Sequence, residues 1–192
     1  MHAEVVGTPE RPLRILSVGR IEWKKGYDYA LQTTRLLLDR GISCEYQIIG
    51  DGSYLEAVAF ARHQLGLEDV VQLIGALPRA QVRDRMRWPD VFLHTAVSEG
   101  FCNAVMEAQA MQLPIVCSDA DGLSENVRDG ETGFVVPRRD VSALAEKLTL
   151  LAQDRQLRER MGRAGRQRVL AHFRVRDQIA AFECLYRQIL TP

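Results

Sequence analysis

Between residues 14 and 136 the chain alternates short apolar runs with longer stretches of helical period. Strands are expected at 14–18, 45–49, 70–74, 91–94, 115–117 and 133–136. Helices are expected between them at 26–40, 54–65, 80–87, 103–112 and 124–128. In the first helix Tyr27, Ala30, Leu31, Thr34, Leu37 and Leu38 return to one face. Gly66 reads as the stop of the second helix, and Trp88-Pro89 ends the third. Strand–helix alternation of this kind makes an α/β fold, a doubly wound parallel sheet with helices on both faces. Beyond Asp140 the chain reads as helical throughout, at 141–152, 154–163 and 175–190, which gives a helical C-terminal tail. In the last helix Ile179, Phe182, Tyr186 and Ile189 share a face, so that face is expected to cover something apolar.

Composition narrows the class. A chain of 192 residues, 46% apolar, can bury a full core as one domain. Twenty-five basic residues balance 25 acidic ones, and this argues against a nucleic-acid partner, which calls for a basic excess. No apolar run approaches the ~18 residues that span a bilayer. Residues 1–12 lack the apolar core of a signal peptide, so the reading is cytoplasmic. Cys44, Cys102, Cys117 and Cys184 form no Cys-x-x-Cys pair and read as free thiols. His2, His63, His94 and His172 are scattered; they read as structural or exposed, with no metal cluster or catalytic triad near them.

The most chemically loaded segment runs from Glu99 to Glu107, two carboxylates eight positions apart with a glycine turn between them. It lies where a buried strand gives way to a helix, with Asn103 expected as the N-cap. Glu99 then sits in the loop and Glu107 about one turn into the helix. Unpaired N–H groups of the first turn favour an anion. Two carboxylates around an anion site call for a ligand that is anionic in one part and rich in hydroxyls elsewhere, as a sugar nucleotide is. Three further loops follow strands, where such sheets bind ligands. In the first, Arg20 and Lys25 stand five apart and can converge on one anion or remain solvated surface cations. Gly50-Asp51-Gly52 can be a ligand approach or simply a tight turn. The loop from Gly75 to Arg79 can wall a base pocket through its backbone.

These segments, taken in order, resemble a known family. Val18-Gly19-Arg20 with Lys25-Gly26, Gly50-Asp51-Gly52, the run from Val71 to Gly75, Glu99 through Glu107, Leu113-Pro114, Gly122 with Glu125, and Gly130 with Gly133 follow the pattern of the C-terminal, donor-binding domain of family 4 retaining glycosyltransferases. The resemblance implies a Rossmann-like half of a GT-B fold, with a core at about 13–173 and a last helix at about 175–190. It implies that Arg20 and Lys25 neutralise the nucleotide diphosphate and that Glu107 accepts from the ribose hydroxyls. Glu99 is implied beside the transferred sugar as the catalytic carboxylate. Backbone groups of Gly100, Phe101, Cys102 and Asn103 are implied to hold sugar and phosphate, and Arg79 lies where the base is touched. The implied donor is a UDP-hexose, bound without metal or other cofactor, in polysaccharide or glycoconjugate synthesis.

The resemblance also implies a second, N-terminal GT-B domain carrying the acceptor side. These 192 residues do not include one, so the chain is expected to be an excised half. The full-length enzyme could associate peripherally with the inner face of the membrane. Several positions depart from the family pattern: Gln112 and Asp121 stand where glycine is usual, Ser124 where proline is, and Cys102 where glycine is frequent. Asp119-Ala-Asp121 also has the spacing of a metal-dependent Asp-x-Asp motif. A non-catalytic sugar-nucleotide-binding module is the alternative function. A dehydrogenase is disfavoured, because the first loop has no Gly-x-Gly-x-x-Gly.

Overall fold

The computed structural model describes residues 11–190, so His2 and most of the lead at 1–12 lie outside the described residues. Six strands, β1 (Leu13–Val18), β2 (Cys44–Ile49), β3 (Val71–Gly75), β4 (Val91–His94), β5 (Ile115–Ser118) and β6 (Gly133–Val136), form one sheet in the order β3-β2-β1-β4-β5-β6. Every pairing is parallel. Helices α1 (Tyr27–Asp39), α2 (Leu55–Gln64), α3 (Arg79–Arg85), α4 (Asn103–Ala110) and α5 (Leu123–Asn126) make the crossovers. Helices α6 (Val141–Gln153), α7 (Arg155–His172) and α8 (Val175–Leu190) follow.

The two faces of the sheet are filled by alternate residues of each strand, as the period of two requires. Ile15, Ile48, Val91, Leu93 and Val116 face α1, α2 and α6, where Leu31, Leu37, Val58, Leu144 and Leu148 are buried. Leu16, Ile49, Phe92, Ile115 and Cys117 face α3, α4 and α5, where Met86, Val105, Ala108 and Leu123 meet them. The doubly wound α/β reading holds in full.

Several local expectations change. Cys102, not Asn103, is the N-cap of α4, and Asn103 is its first helical residue. That helix stops at Ala110 because Gln112 turns back with φ +64°, the left-handed conformation for which glycine is the easy choice. Gly162 of α7 fits against that turn: a Cβ there would come within 2.0 Å of the Gln112 carbonyl oxygen. Asp121, the other glycine substitute, also has positive φ, at +42°. Helix α7 runs nine residues past the expected end at 163, because it packs on α4 and α6 along its length. The apolar stripe of α8 is the larger departure. Ile179, Phe182, Tyr186 and Ile189 are all exposed, and among the described residues nothing covers them.

Asp90 ties the lead-in to β1 against the start of β4. Its carboxylate accepts from Arg11 Nη1 and Nη2 at 2.8 and 2.6 Å and from the Arg14 N–H at 3.0 Å. Burial pushes the Asp90 carboxyl up, but these bonds outweigh it and hold it below its ordinary value. Asp90→Asn is therefore expected to lower stability at neutral pH by about 1.5–3 kcal/mol, the scale of bonds to a charged group. A depressed carboxyl stabilises fully above its unfolded pKa and loses that contribution as pH falls through the folded value. The gap between the urea midpoints of parent and variant should close in acid; a gap independent of pH would show that the charge is not its source.

Candidate functional site

Strand order reverses between β1 and β4, and the loops that leave their carboxyl ends meet there. The first loop turns through a short 3-10 segment, Trp23–Lys25, into Gly26. Gly26 has φ +66°, and a Cβ on it would lie 2.1 Å from the Thr95 carbonyl oxygen. This glycine lets the β1 loop press against the chain leaving β4, where Val97 N–H donates to Lys24 O at 2.8 Å and Thr95 Oγ1 to Gly26 O at 2.8 Å. Gly52 serves the same loop from the other side, since a Cβ there would stand 2.3 Å from the Ile21 carbonyl oxygen.

The outcome is that Lys25 Nζ donates to Glu99 Oε2 across the crevice. Their side chains are only 12% and 14% exposed, so Glu99 is not a solvated loop carboxylate. Arg20, on the same loop, projects into solvent and has no ion-pair partner among the described residues. The two cations thus differ: one is held at the carboxylate, and the other is free to meet an anion.

A residue that the sequence reading set aside completes this centre. His94, the buried last residue of β4, places Nε2 3.1 Å from Glu99 Oε2 and 3.6 Å from Cys102 Sγ. The reading of His94 as merely structural, far from any cluster, is corrected here. Its only sequence signal was its position at the carboxyl end of a strand, five residues before Glu99. The hydrogen bond from His94, with help from Lys25, overcomes burial and holds the Glu99 carboxyl down at about 2. Burial lowers the His94 pKa, yet Cys102 and Glu99 more than reverse it, and the net shift is upward. Burial also pushes the Cys102 thiol up, but contact with His94 brings it below its ordinary value.

The backbone of the glycine turn is set by neighbours. Asp121 accepts from Ser98 Oγ at 2.9 Å and from the Glu99 N–H at 3.2 Å, while Gly122 N–H donates to Glu99 O at 2.9 Å. Arg138 pairs with both Asp119 and Asp121, at 3.2 and 3.4 Å. The Asp-x-Asp spacing is thus spent on an arginine clamp under the loop, which argues against the metal-motif reading. Of the backbone groups expected to meet ligand, the Cys102 N–H is already taken by Asn126 Oδ1 at 3.1 Å. At the start of α4 Asn103 is exposed and Ala104 half-buried, while Val105 is buried and its N–H is bonded to the Cys102 sulfur.

Glu107, one turn into α4, accepts from Arg79 Nη2 at 3.0 Å. That pair rims a cavity of about 410 Å³ floored by Met86, Ala110 and Met111. A larger concavity of about 680 Å³ lies at the amino ends of β1, β4 and β5, lined by Leu13, Asp90 and Pro114. The smaller cavity lies between α3 and α4 and shares only Arg79 and Glu107 with the candidate site.

A six-stranded parallel sheet with convergent basic and acidic loops at its switch point is the frame of a doubly wound, Rossmann-like α/β domain. The model for "Glycosyl transferases group 1" matches residues 2–168, and the chain belongs to that family. The amylovoran biosynthesis glycosyltransferase AmsK of Erwinia amylovora is 36% identical over 149 residues, which are 74% of this chain and 37% of that protein. The chain spans under half the length of the curated relatives it matches. A structure of S. aureus TarM in complex with fondaparinux, α-GlcNAc-glycerol and UDP superposes with a TM-score of 0.85 at 18% identity, over 96% of this chain and 38% of that one. The C-terminal domain of the group 1 glycosyl transferase LpcC from Francisella tularensis matches with a TM-score of 0.77 at 22% identity, over 88% and 89% of the two chains. The fold is that of a GT-B glycosyltransferase half. Among the described residues no helix is long and apolar enough to cross a membrane.

Proposed function

We propose that this domain holds the sugar-nucleotide donor of a retaining glycosyltransferase, a UDP-hexose, for transfer in polysaccharide or glycoconjugate synthesis. The observation that carries this reading is the meeting of the Lys25 loop with Glu99 at the strand switch point, with Arg20 open beside it. The biosynthetic name of AmsK and the UDP bound to TarM support the same assignment.

In this reading the diphosphate lies between the β1 loop and the start of α4. As the bond from sugar to phosphate breaks, negative charge grows on the diphosphate; Arg20, Lys25 and the helix N-terminus are aimed at it. Glu99, ionised at any working pH, accepts from sugar hydroxyls and favours the positive charge that develops on the ring. Glu107 accepts from the ribose once Arg79 yields or shares it, at little cost because the Arg79 side chain is 90% exposed. The base then sits near the backbone around Arg79. The rest of the enzyme, including a second GT-B domain, would bring the acceptor.

Calorimetric titration with UDP-, GDP- and ADP-sugars tests the reading directly. Arg20→Ala and Lys25→Ala should each weaken UDP binding by about 1.5–3 kcal/mol, the scale of charged hydrogen bonds. Uridine monophosphate should lose less. Thermal unfolding should barely move in Arg20→Ala but fall in Lys25→Ala, which leaves Glu99 buried without its cation. Unchanged UDP affinity in the double variant would put the phosphates elsewhere.

A further inference from the structure

The side chains around Glu99 carry a second chemistry. Imidazole Nε2 of His94, a carboxylate oxygen of Glu99 and Sγ of Cys102 all lie within 4.8 Å of one another. The two measured edges are 3.1 Å, nitrogen to oxygen, and 3.6 Å, nitrogen to sulfur. Zinc bonds of about 2.0–2.2 Å to nitrogen and oxygen and 2.3 Å to sulfur, set at tetrahedral angles, separate the ligand atoms by roughly 3.4–3.6 Å. The His94 edges need shifts of only a few tenths of an ångström, and the oxygen-to-sulfur edge, within 4.8 Å, closes to about 3.6 Å by side-chain rotation of the loop residue Glu99. They come from the end of β4, the loop after it and the N-cap of α4, so fixed elements hold two of the three. A mixed nitrogen, oxygen and sulfur set suits zinc and excludes the all-oxygen preference of magnesium or calcium. Three protein ligands leave a fourth position for water or another ligand, the pattern of an open site rather than a closed structural one.

We propose that His94, Glu99 and Cys102 form a binding site for a thiophilic divalent cation of the zinc type, and that its occupation closes the crevice to the donor sugar. Binding needs Cys102 as thiolate and Nε2 of His94 bare, so the thiol proton and the proton on Nε2 pass to solvent and the neutral imidazole holds its proton on Nδ1, while the Lys25 ammonium leaves the carboxylate oxygen that it now shares with His94. The cation site stands on its own geometry. The competition rests on the proposed placement of the sugar at Glu99, since one carboxylate cannot serve both.

Cobalt(II) is the probe, because thiolate-to-cobalt charge transfer reports a sulfur ligand directly. The chain is used in a Cys184→Ser background, which removes the exposed thiol of α8. One equivalent of cobalt should give the band, and zinc should displace it. The band should vanish in Cys102→Ser. Affinity should fall in His94→Ala and Glu99→Gln by more than the roughly 10–100-fold that loss of an outer-shell partner costs. Lys25→Ala should tighten the metal, by removing a like charge, while weakening UDP. A band that survives in Cys102→Ser, or no saturable band at all, overturns the site. Should Cys102→Ser fail to fold by circular dichroism, unchanged cobalt affinity in both Glu99→Gln and Lys25→Ala overturns it as well. In zinc-saturated protein a UDP-sugar should bind no more tightly than UDP. If it keeps its advantage, the competition and the sugar placement fail together while the cation site remains.

Discussion

Gly50→Ala is expected to cost at least about 3 kcal/mol of stability and to take UDP binding with it. Gly50 has φ +151°, and a Cβ built on it would stand 1.8 Å from the Gly19 carbonyl oxygen and 2.9 Å from its carbon. Both are backbone atoms, so no rotamer change relieves the overlap. The residue is also fixed from both sides: Gly50 N–H donates to Gly75 O at 3.0 Å, and Gly19 N–H donates to Ile49 O at 3.0 Å. Backbone strain and overpacking each cost about 1–3 kcal/mol, and here they act together. Gly19 opens the loop that carries Arg20 and Lys25, so the displacement passes to the proposed diphosphate site. Gly41 is the control. Its φ is +76° but a Cβ there meets nothing within 4 Å, so Gly41→Ala should cost only about 1–2 kcal/mol. Urea midpoints for the two variants give the comparison. Equal losses would mean that φ alone, and not the contact with Gly19, makes Gly50 special.

The two carboxylates of the Glu99–Glu107 pair should separate in opposite ways. Two adjacent ribose hydroxyls can donate to one carboxylate, so Glu107→Gln should weaken plain UDP and the sugar nucleotide alike. Glu99 lies before the helix, beyond the glycine turn, where the sugar is proposed to reach. Its carboxylate also holds Lys25, and Glu99→Gln would weaken that hold. UDP affinity should then stay level or rise, because Lys25 becomes free for the diphosphate, while the extra affinity of the UDP-sugar is lost. In the full-length enzyme the same change should lower kcat about 10²–10³-fold, the scale for removing one group aimed at developing charge. Four affinities, two ligands against two variants, test the division. If Glu99→Gln and Glu107→Gln lose UDP affinity equally, the proposed roles are wrong even though the family stands.

Period and punctuation in the sequence determined the architecture. Alternation at Ile15 and Leu16, or at Val91, Phe92 and Leu93, sends successive side chains to opposite faces, and only a sheet covered on both sides buries them all. The candidate site residues stood out for a similar reason, since Arg20, Lys25 and Glu99 lie in loops after strands and Glu107 in the first turns of α4, where no core demands a charge. Helix ends were less legible. Gln112 adopts the left-handed turn because Gly162, 50 residues away, leaves room for its carbonyl, and local sequence says nothing about that.

Tertiary structure alone decided which charges meet. Lys25 and Glu99 are 74 residues apart, and their pairing depends on two loops docking through Gly26. His94 and Cys102 gained their place beside Glu99 in the same way. A strand end and a helix cap converge only when β4 and α4 pack, so neither residue carried a motif of its own. Asp119 and Asp121 show the converse, a motif in sequence that Arg138 turns into a structural clamp. Local sequence fixes what each segment becomes, because backbone sterics and burial act over a few residues. Electrostatic partners are chosen by long-range packing, which the order of residues along the chain does not display.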